Sequence, residues 1–175
     1  MPAGFLHINR NKRALVLDLK KPAGLAALMR LVKTADVLIY NGRPQAMARL
    51  GLDYETLRAV NPRLIYCGVF GYGQDGPYAA KPAYDDLIQG MVALPSIIKD
   101  AGGDRPRYVP STVADRITGL NAVNAVTTAL FHRERTGPAA GHLRDPHPER
   151  YGCGAQLPRH SRWRQRRPAG RRLST

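Results

Sequence analysis

The stretch Asp36–Phe70, DVLIYNGRPQAMARLGLDYETLRAVNPRLIYCGVF, carries the reading on which the fold depends. Its two ends, Asp36–Tyr40 (DVLIY) and Arg63–Phe70 (RLIYCGVF), are short apolar runs with the β-branched and aromatic residues that suit strands. Between them Asn41-Gly42-Arg43-Pro44 is turn-like, and Gln45–Leu50 and Tyr54–Val60 read as short helices. Asn61-Pro62 stops the second helix, because a proline ring crowds the residue before it out of the α region. Apolar strands separated by helices indicate βαβ units, and such a crossover joins parallel strands.

Working outward, Ala14–Leu19 (ALVLDL) reads as a further parallel strand, and Pro22 suits the first turn of a helix, where a missing N–H costs nothing. Ala23–Lys33 places Leu25, Leu28, Met29 and Val32 on one helical face. Toward the C-terminus, Asp85–Leu94 and Val113–Arg135 are the remaining helix candidates. In the longer one Val113, Ile117, Leu120, Val123, Val126 and Leu130 recur every three or four residues. The pattern predicts an α/β fold over residues 1–136, a parallel sheet with flanking helices, and no internal repeat.

At 175 residues the chain has room for one domain, and its 43% hydrophobic content can supply a core. Its apolar runs are far shorter than the roughly 20 residues of a membrane-spanning helix. MPAGFLHINRNKR at the start lacks the apolar region of a secretory signal. Cys67 and Cys153 lie far apart and form no CxxC, so neither a metal site nor a disulfide framework is expected. A cytoplasmic location is the expectation that follows.

Charge is unevenly distributed. Residues 137–175 hold nine arginines against Asp145 and Glu149, a net +7, which is half of the +14 of the whole chain. Five prolines, five glycines and only Leu143, Leu157 and Leu173 as larger aliphatic residues leave nothing to offset the entropy of ordering. A disordered basic tail is expected. Arg159–Arg172 (RHSRWRQRRPAGRR), with Trp163 able to stack on a base, fits a nucleic-acid arm. The abrupt change to Arg/Pro/Gly/Ala-rich text fits GC-rich coding DNA read out of frame better, with a solvated basic tail as the next reading, so nucleic acid is an unlikely partner.

Gly71-Tyr72-Gly73-Gln74-Asp75-Gly76 matches GxGxxG after an expected strand. The dinucleotide fingerprint needs its third glycine to open a helix whose amides hold a pyrophosphate. Here Pro77 and Pro82 follow without apolar periodicity, and no acidic residue lies about 20 positions on. The match reads as a loop leaving a strand.

Five phrases, taken together, go further. They are NRNKRALVLDLK (Asn9–Lys20), ADVLIYNGRP (Ala35–Pro44), RLGLDYETLRAVNPRLIYCGVFGYGQDGPY (Arg49–Tyr78), PAYDDLIQG (Pro82–Gly90) and VADRITGLNAV (Val113–Val123). In order and spacing they resemble the family III CoA-transferases, the group of formyl-CoA and carnitine-CoA transferases, across residues 5–136. The resemblance implies a Rossmann-like α/β domain, a homodimer of interlocked subunits, and an acyl-CoA and a small carboxylic acid as substrates, with no tightly bound cofactor. It also implies missing parts, since family members begin ahead of the NRNKR phrase and continue past RERTG (Arg133–Gly137). The expectation is a truncated, frame-shifted and inactive copy.

By the same resemblance Asp115 is the catalytic nucleophile, because Ala114-Asp115-Arg116-Ile117-Thr118-Gly119 matches the family phrase A/G-D-x-x-x-G at the start of a long helix. A carboxylate is ionised at neutral pH and can attack an acyl thioester, and amides at a helix N-terminus stabilise developing negative charge. From spacing alone Thr112-Val113-Ala114-Asp115 is a capping box, a role compatible with the catalytic one. The CoA contacts implied are Leu17, Asp18, Leu19 and Lys20 at a strand end, Lys20 supplying charge to a phosphate. Asn41 matches the family's E-N-F/Y phrase with Gly42 and Arg43 beside it, although Tyr40 and Gly42 replace the acidic and aromatic members. Arg49 matches a basic residue in the helix that follows. Tyr84 and Asp85 match a Tyr-acid pair lining the reaction centre. For Lys20 and Arg49, solvated surface charge is the alternative.

The function expected is acyl-CoA:carboxylate CoA transfer through an aspartyl-CoA thioester. An α-methylacyl-CoA racemase-like isomerase is the nearest rival, but it wants a histidine where Tyr84 stands, since imidazole exchanges protons near neutral pH. The rival from another class is nucleic-acid binding through the basic tail.

Overall fold

The computed structural model describes residues 3–74 and 76–137. Its sheet consists of the two apolar runs at the ends of the Asp36–Phe70 stretch. β1 (Val37–Tyr40) and β2 (Ile65–Gly68) pair in parallel, with Val37 opposite Ile65 and Tyr40 opposite Gly68. The ladder extends one residue past each end, where Ile65 N–H donates to the Asp36 carbonyl at 2.9 Å and Val69 N–H to the Tyr40 carbonyl at 2.8 Å.

The crossover between the strands contains α3 (Pro44–Arg49) and α4 (Tyr54–Val60). Proline occupies the first turn of α3, where its missing donor is no loss. Asp53 caps α4, its carboxylate accepting from Thr56 N–H at 3.0 Å and from the Thr56 hydroxyl at 2.8 Å. These bonds, the backbone one foremost, hold the Asp53 carboxyl below the usual carboxylate range. Ahead of the sheet lies α2 (Pro22–Val32). Its Leu25, Leu28 and Met29 close over Val32, Leu52, Leu57 and Leu64, with Leu38 of β1 beneath. Burying a leucine as fully as Leu57 contributes about 1.5–3 kcal/mol.

Asn61 joins the two ends of this core. Its side-chain amide donates to the carbonyls of Val32 at 2.8 Å and Ala35 at 2.9 Å, and its oxygen accepts from Arg63 N–H at 3.0 Å. Each such bond contributes about 0.5–1.5 kcal/mol, so the asparagine that ends α4 also secures the end of α2.

After β2 come α5 (Asp85–Met91), α6 (Leu94–Asp100) and the long α7 (Val113–Thr136). α7 lies on β2, with Ala122 against Cys67 and with Val69, Ala125 and Val126 around them. Its C-terminal end is held by Arg133, which donates to the Arg63 carbonyl at 3.0 Å and the Asp36 carboxylate at 2.8 Å. One guanidinium thereby ties the helix to the residues that enter both strands.

Several expectations need correction. Ala14–Leu19 is not a strand: residues 12–18 run without regular structure, and the sheet among the described residues has two strands. β-propensity expresses fit to a half-buried pleated surface, and here only Leu17 and Leu19 find cover while Val16 is 94% exposed. Asp85–Leu94 is not one helix. Pro95 has no N–H and its ring would strike the carbonyl four residues back, so the chain turns left-handed at Ala93 (φ 59°) and starts α6 afresh. A short helix, α1 (Ala3–Ile8), forms where the sequence predicts no element.

The apolar stripe expected on α7 is also only half right. Val126 and Leu130 turn inward, but Ile117, Leu120 and Val123 are exposed, and the buried face runs through Ala122, Ala125, Val126 and Arg133. The helix carries apolar residues on two faces, and the small alanines are the ones that let it approach the sheet. Among the described residues no helix is long and apolar enough to cross a membrane. The basic tail, with Cys153 and Arg159–Arg172, lies outside the described residues from 138 onward.

Candidate active site

The loop leaving β2 sets where the site forms. A Cβ on Gly71 would fall on the Ala83 side chain, so glycine is what lets this loop pack against the residues ahead of α5. The chain then returns through successive turns, with Gly76 N–H bonded to the Gly73 carbonyl and Ala79 N–H to that of Gly76. Lys81 Nζ sits 4.1 Å from the Tyr78 ring centre. The GxGxxG match thus lies in a turn-rich loop and opens no helix among the described residues; Asp75 within it lies outside them.

Tyr84 is extended at the N-cap of α5 and 70% exposed, and Asp85 begins the helix. The Asp85 carboxylate faces two ways. Oδ2 accepts from the backbone N–H of Asp115 at 2.9 Å, and Oδ1 accepts from Gln89 Nε2 at 2.7 Å. Burial works against its ionisation, but the Asp115 N–H, the Gln89 amide and the Ala114 and Val113 N–H groups outweigh it and hold the carboxyl below the ordinary range.

This arrangement corrects two expectations. Thr112 makes no side-chain cap bond, so the Thr112–Asp115 capping box does not form. The first turn of α7 is capped instead by a carboxylate from α5, because an ionised acceptor binds amides at the positive end of a helix more strongly than a hydroxyl does. For the same reason the Asp115 N–H, one of the α7 amides expected to stabilise charge on a substrate, is already engaged. Asp115 is itself exposed beside this junction, so Asp85 and Asp115 meet where α5 and α7 begin, with Tyr84 one residue ahead of Asp85 in the chain.

Gln89 was missed in the sequence. It is 3% exposed, and besides Asp85 it donates to the carbonyls of Val109 and Ser111, each at 3.3 Å, while its oxygen accepts from Val109 N–H at 2.9 Å. The available signal was its spacing, four residues after Asp85 on the same helical face.

The remaining assigned residues lie around the sheet. Leu17, Asp18, Leu19 and Lys20 form the segment before α2, where Asp18 Oδ1 accepts from Lys20 N–H at 3.1 Å and the Asp18 carbonyl from Lys21 N–H at 3.1 Å. A Cβ on Gly24 would strike that carbonyl, so α2 starts directly against this turn. Leu19 enters the core, whereas Lys20 is exposed. Asn41, Gly42 and Arg43 leave β1 at the edge where residues 69–71 leave β2, because the strands are parallel; all three are exposed, as is Arg49 at the end of α3. That edge is where open α/β sheets take ligands. Among the described residues no hydrogen bond or ion pair links these positions to Tyr84, Asp85 or Asp115.

The family model described as CoA-transferase family III matches residues 1–141. The chain belongs to that family. Within family III it is 46% identical over 138 residues to succinate–glutarate CoA-transferase of Agrobacterium fabrum, covering 78% of this chain and 34% of that protein. It is 40% identical over 136 residues to acetyl-CoA:oxalate CoA-transferase of Acetobacter aceti, covering 78% and 35%. Among solved structures, a CaiB/BaiF family protein from Brucella suis superposes with a TM-score of 0.67 at 41% identity, over 72% of this chain and 33% of that one. This member of family III therefore spans about a third of the length of the curated relatives it matches.

Proposed function

We propose that this chain is part of an acyl-CoA:carboxylate CoA-transferase in which Asp115 is the nucleophile. The observation that carries the reading is the junction of α5 and α7, where Asp85 holds the backbone of Asp115 and leaves the Asp115 carboxylate exposed. The names of the two relatives above, CoA-transferases of succinate and glutarate and of acetyl-CoA and oxalate, support it.

In this reading an Asp115 carboxylate oxygen attacks the thioester carbonyl of the donor, forming a mixed anhydride and expelling CoA thiolate. The thiolate attacks the Asp115 carbonyl of that anhydride, releasing the donor acid and leaving an aspartyl-CoA thioester. The acceptor carboxylate attacks this thioester, giving a second anhydride and free thiolate. Attack of the thiolate on the acceptor carbonyl then yields the new acyl-CoA and restores Asp115. One difficult exchange becomes four acyl transfers between good leaving groups. Lys20, Asn41, Arg43 and Arg49, exposed around the sheet, supply the polar and cationic contacts for CoA, and Tyr84 borders the acyl group. The 175 residues alone are expected to turn over no substrate.

The test is a chimera in which this segment replaces its counterpart in the Agrobacterium enzyme. Incubated with succinyl-CoA, the chimera should carry a CoA adduct on the peptide containing Asp115. Asp115→Asn should remove both adduct and transfer, because an amide keeps the shape but is a far poorer nucleophile. An adduct on Asp85 instead would overturn the assignment.

A further inference from the structure

The buried polar group nearest the candidate nucleophile that the mechanism leaves unused is the Gln89 side chain. It lies inside α5 at 3% exposure, and both its oxygen and its amide nitrogen are engaged. The oxygen takes the Val109 N–H, and the amide reaches the Asp85 carboxylate and the carbonyls of Val109 and Ser111. Three pieces of chain thus converge on one amide: α5, the segment that leads into α7, and, through Asp85, the first turn of α7. Asp85 meets Asp115 N–H with one oxygen and Gln89 with the other, so Gln89 fixes the rotation of the carboxylate that holds Asp115. Val109 and Ser111, bound to the same amide, lie just ahead of Val113, where α7 begins. Both the entry to the helix and its first turn are therefore set by Gln89.

We propose that Gln89 is a positioning residue for Asp115. It holds the start of α7 through Asp85 on one side and residues 109–111 on the other. Its importance for transfer rests on the reading of Asp115 as the nucleophile; the positioning itself is a property of the chain without substrate. A glutamate at this place would keep the acceptor for Val109 N–H but lose the donor to Asp85 and set two carboxylates against each other. A methionine would keep the volume and lose every bond.

Backbone amide exchange and carboxyl carbon NMR test this directly, on a 175-residue chain whose exposed α7 face carries Leu120→Lys and Val123→Lys to keep it from associating. In Gln89→Met the amides of Val109 and Asp115 should exchange about tenfold faster, while those of Leu57 and Leu64 in the α2–α4 core stay as they are. The Asp85 carboxyl, having lost a donor, should titrate closer to an ordinary aspartate; Asp86, Asp115 and Arg116 are the other charged residues in these two first turns. Gln89→Glu should release Asp115 while sparing Val109, and it serves where the methionine variant does not fold. Unchanged exchange at Asp115 with an unchanged Asp85 titration overturns the proposal, and so does a uniform rise across the core, which would make Gln89 a packing residue only. Neither readout involves an adduct, so a chimera without one would sink the nucleophile and leave the positioning claim standing.

Discussion

At Asp85 a single carboxylate serves two helices, and its protonation should be felt in both. Its folded carboxyl is depressed despite burial, because the Asp115 N–H and Gln89 donors favour the ionised form. The unfolded chain therefore binds the proton more readily than the folded one. Its contribution is complete above the ordinary aspartate value near 4 and is lost as pH falls through the lower folded value. Corrected for intrinsic rate, the Asp115 amide should lose protection as pH falls below about 4, the ordinary aspartate value. Asp85→Asn should flatten this response, and an acid-induced loss that persists in that variant would assign it to another group. Gln89 belongs to the same scale. The sequence marks it only as a polar residue one helical turn after Asp85, and nothing in one dimension shows that residues 109–111 return to it.

Among the elements, α7 is placed by its two ends and its small residues. Asp85 holds the first turn, alanines admit the middle to β2, and Arg133 holds the last turns through Arg63 and Asp36. Arg133→Met keeps the bulk and removes these bonds, so it should lower the unfolding free energy by about 1–3 kcal/mol in chemical denaturation. Glu134→Gln, at an exposed carboxylate that meets Arg63 at 3.2 Å and Arg133 Nε at 3.3 Å, should change it by less than about 1 kcal/mol, because the amide oxygen can still accept from both. Equal losses in the two variants would show that the surface network matters as much as the buried guanidinium. Most elements were legible in the chain because their signals are local. Pro22 and Pro44 start helices, Asn61-Pro62 stops one, and two apolar runs become strands. Ala14–Leu19 misled because a strand needs a neighbour, and Asp85–Leu94 because the effect of Pro95 reaches back four residues.

Across the whole molecule, much apolar surface stays uncovered among the described residues. Ile117, Leu120, Val123 and Phe131 lie exposed along α7, with Leu87 and Met91 exposed on α5 and Ile97 on α6. Patches of this kind drive association. The 175-residue chain should self-associate or aggregate at micromolar concentration, as read by light scattering. Leu120→Lys with Val123→Lys should reduce this without loss of helix content. A monodisperse, cooperatively melting monomer would show that the exposed face is tolerated.

The chain by itself determined the alternation of strands and helices, the parallel pairing of β1 with β2, and the phrases that carry family III membership. The alternation and the phrases depend on residues near one another in sequence, where propensity, proline geometry and apolar period act directly, and the parallel pairing follows from a crossover that contains helices. Only the tertiary structure decided which face of α7 is buried, that Asp85 rather than Thr112 caps it, and that Gln89 gathers three segments. Those outcomes depend on contacts between residues 20 to 97 positions apart. There burial selects small side chains, and a charged acceptor outcompetes a neutral one nearby, and neither effect leaves a periodic mark in the sequence.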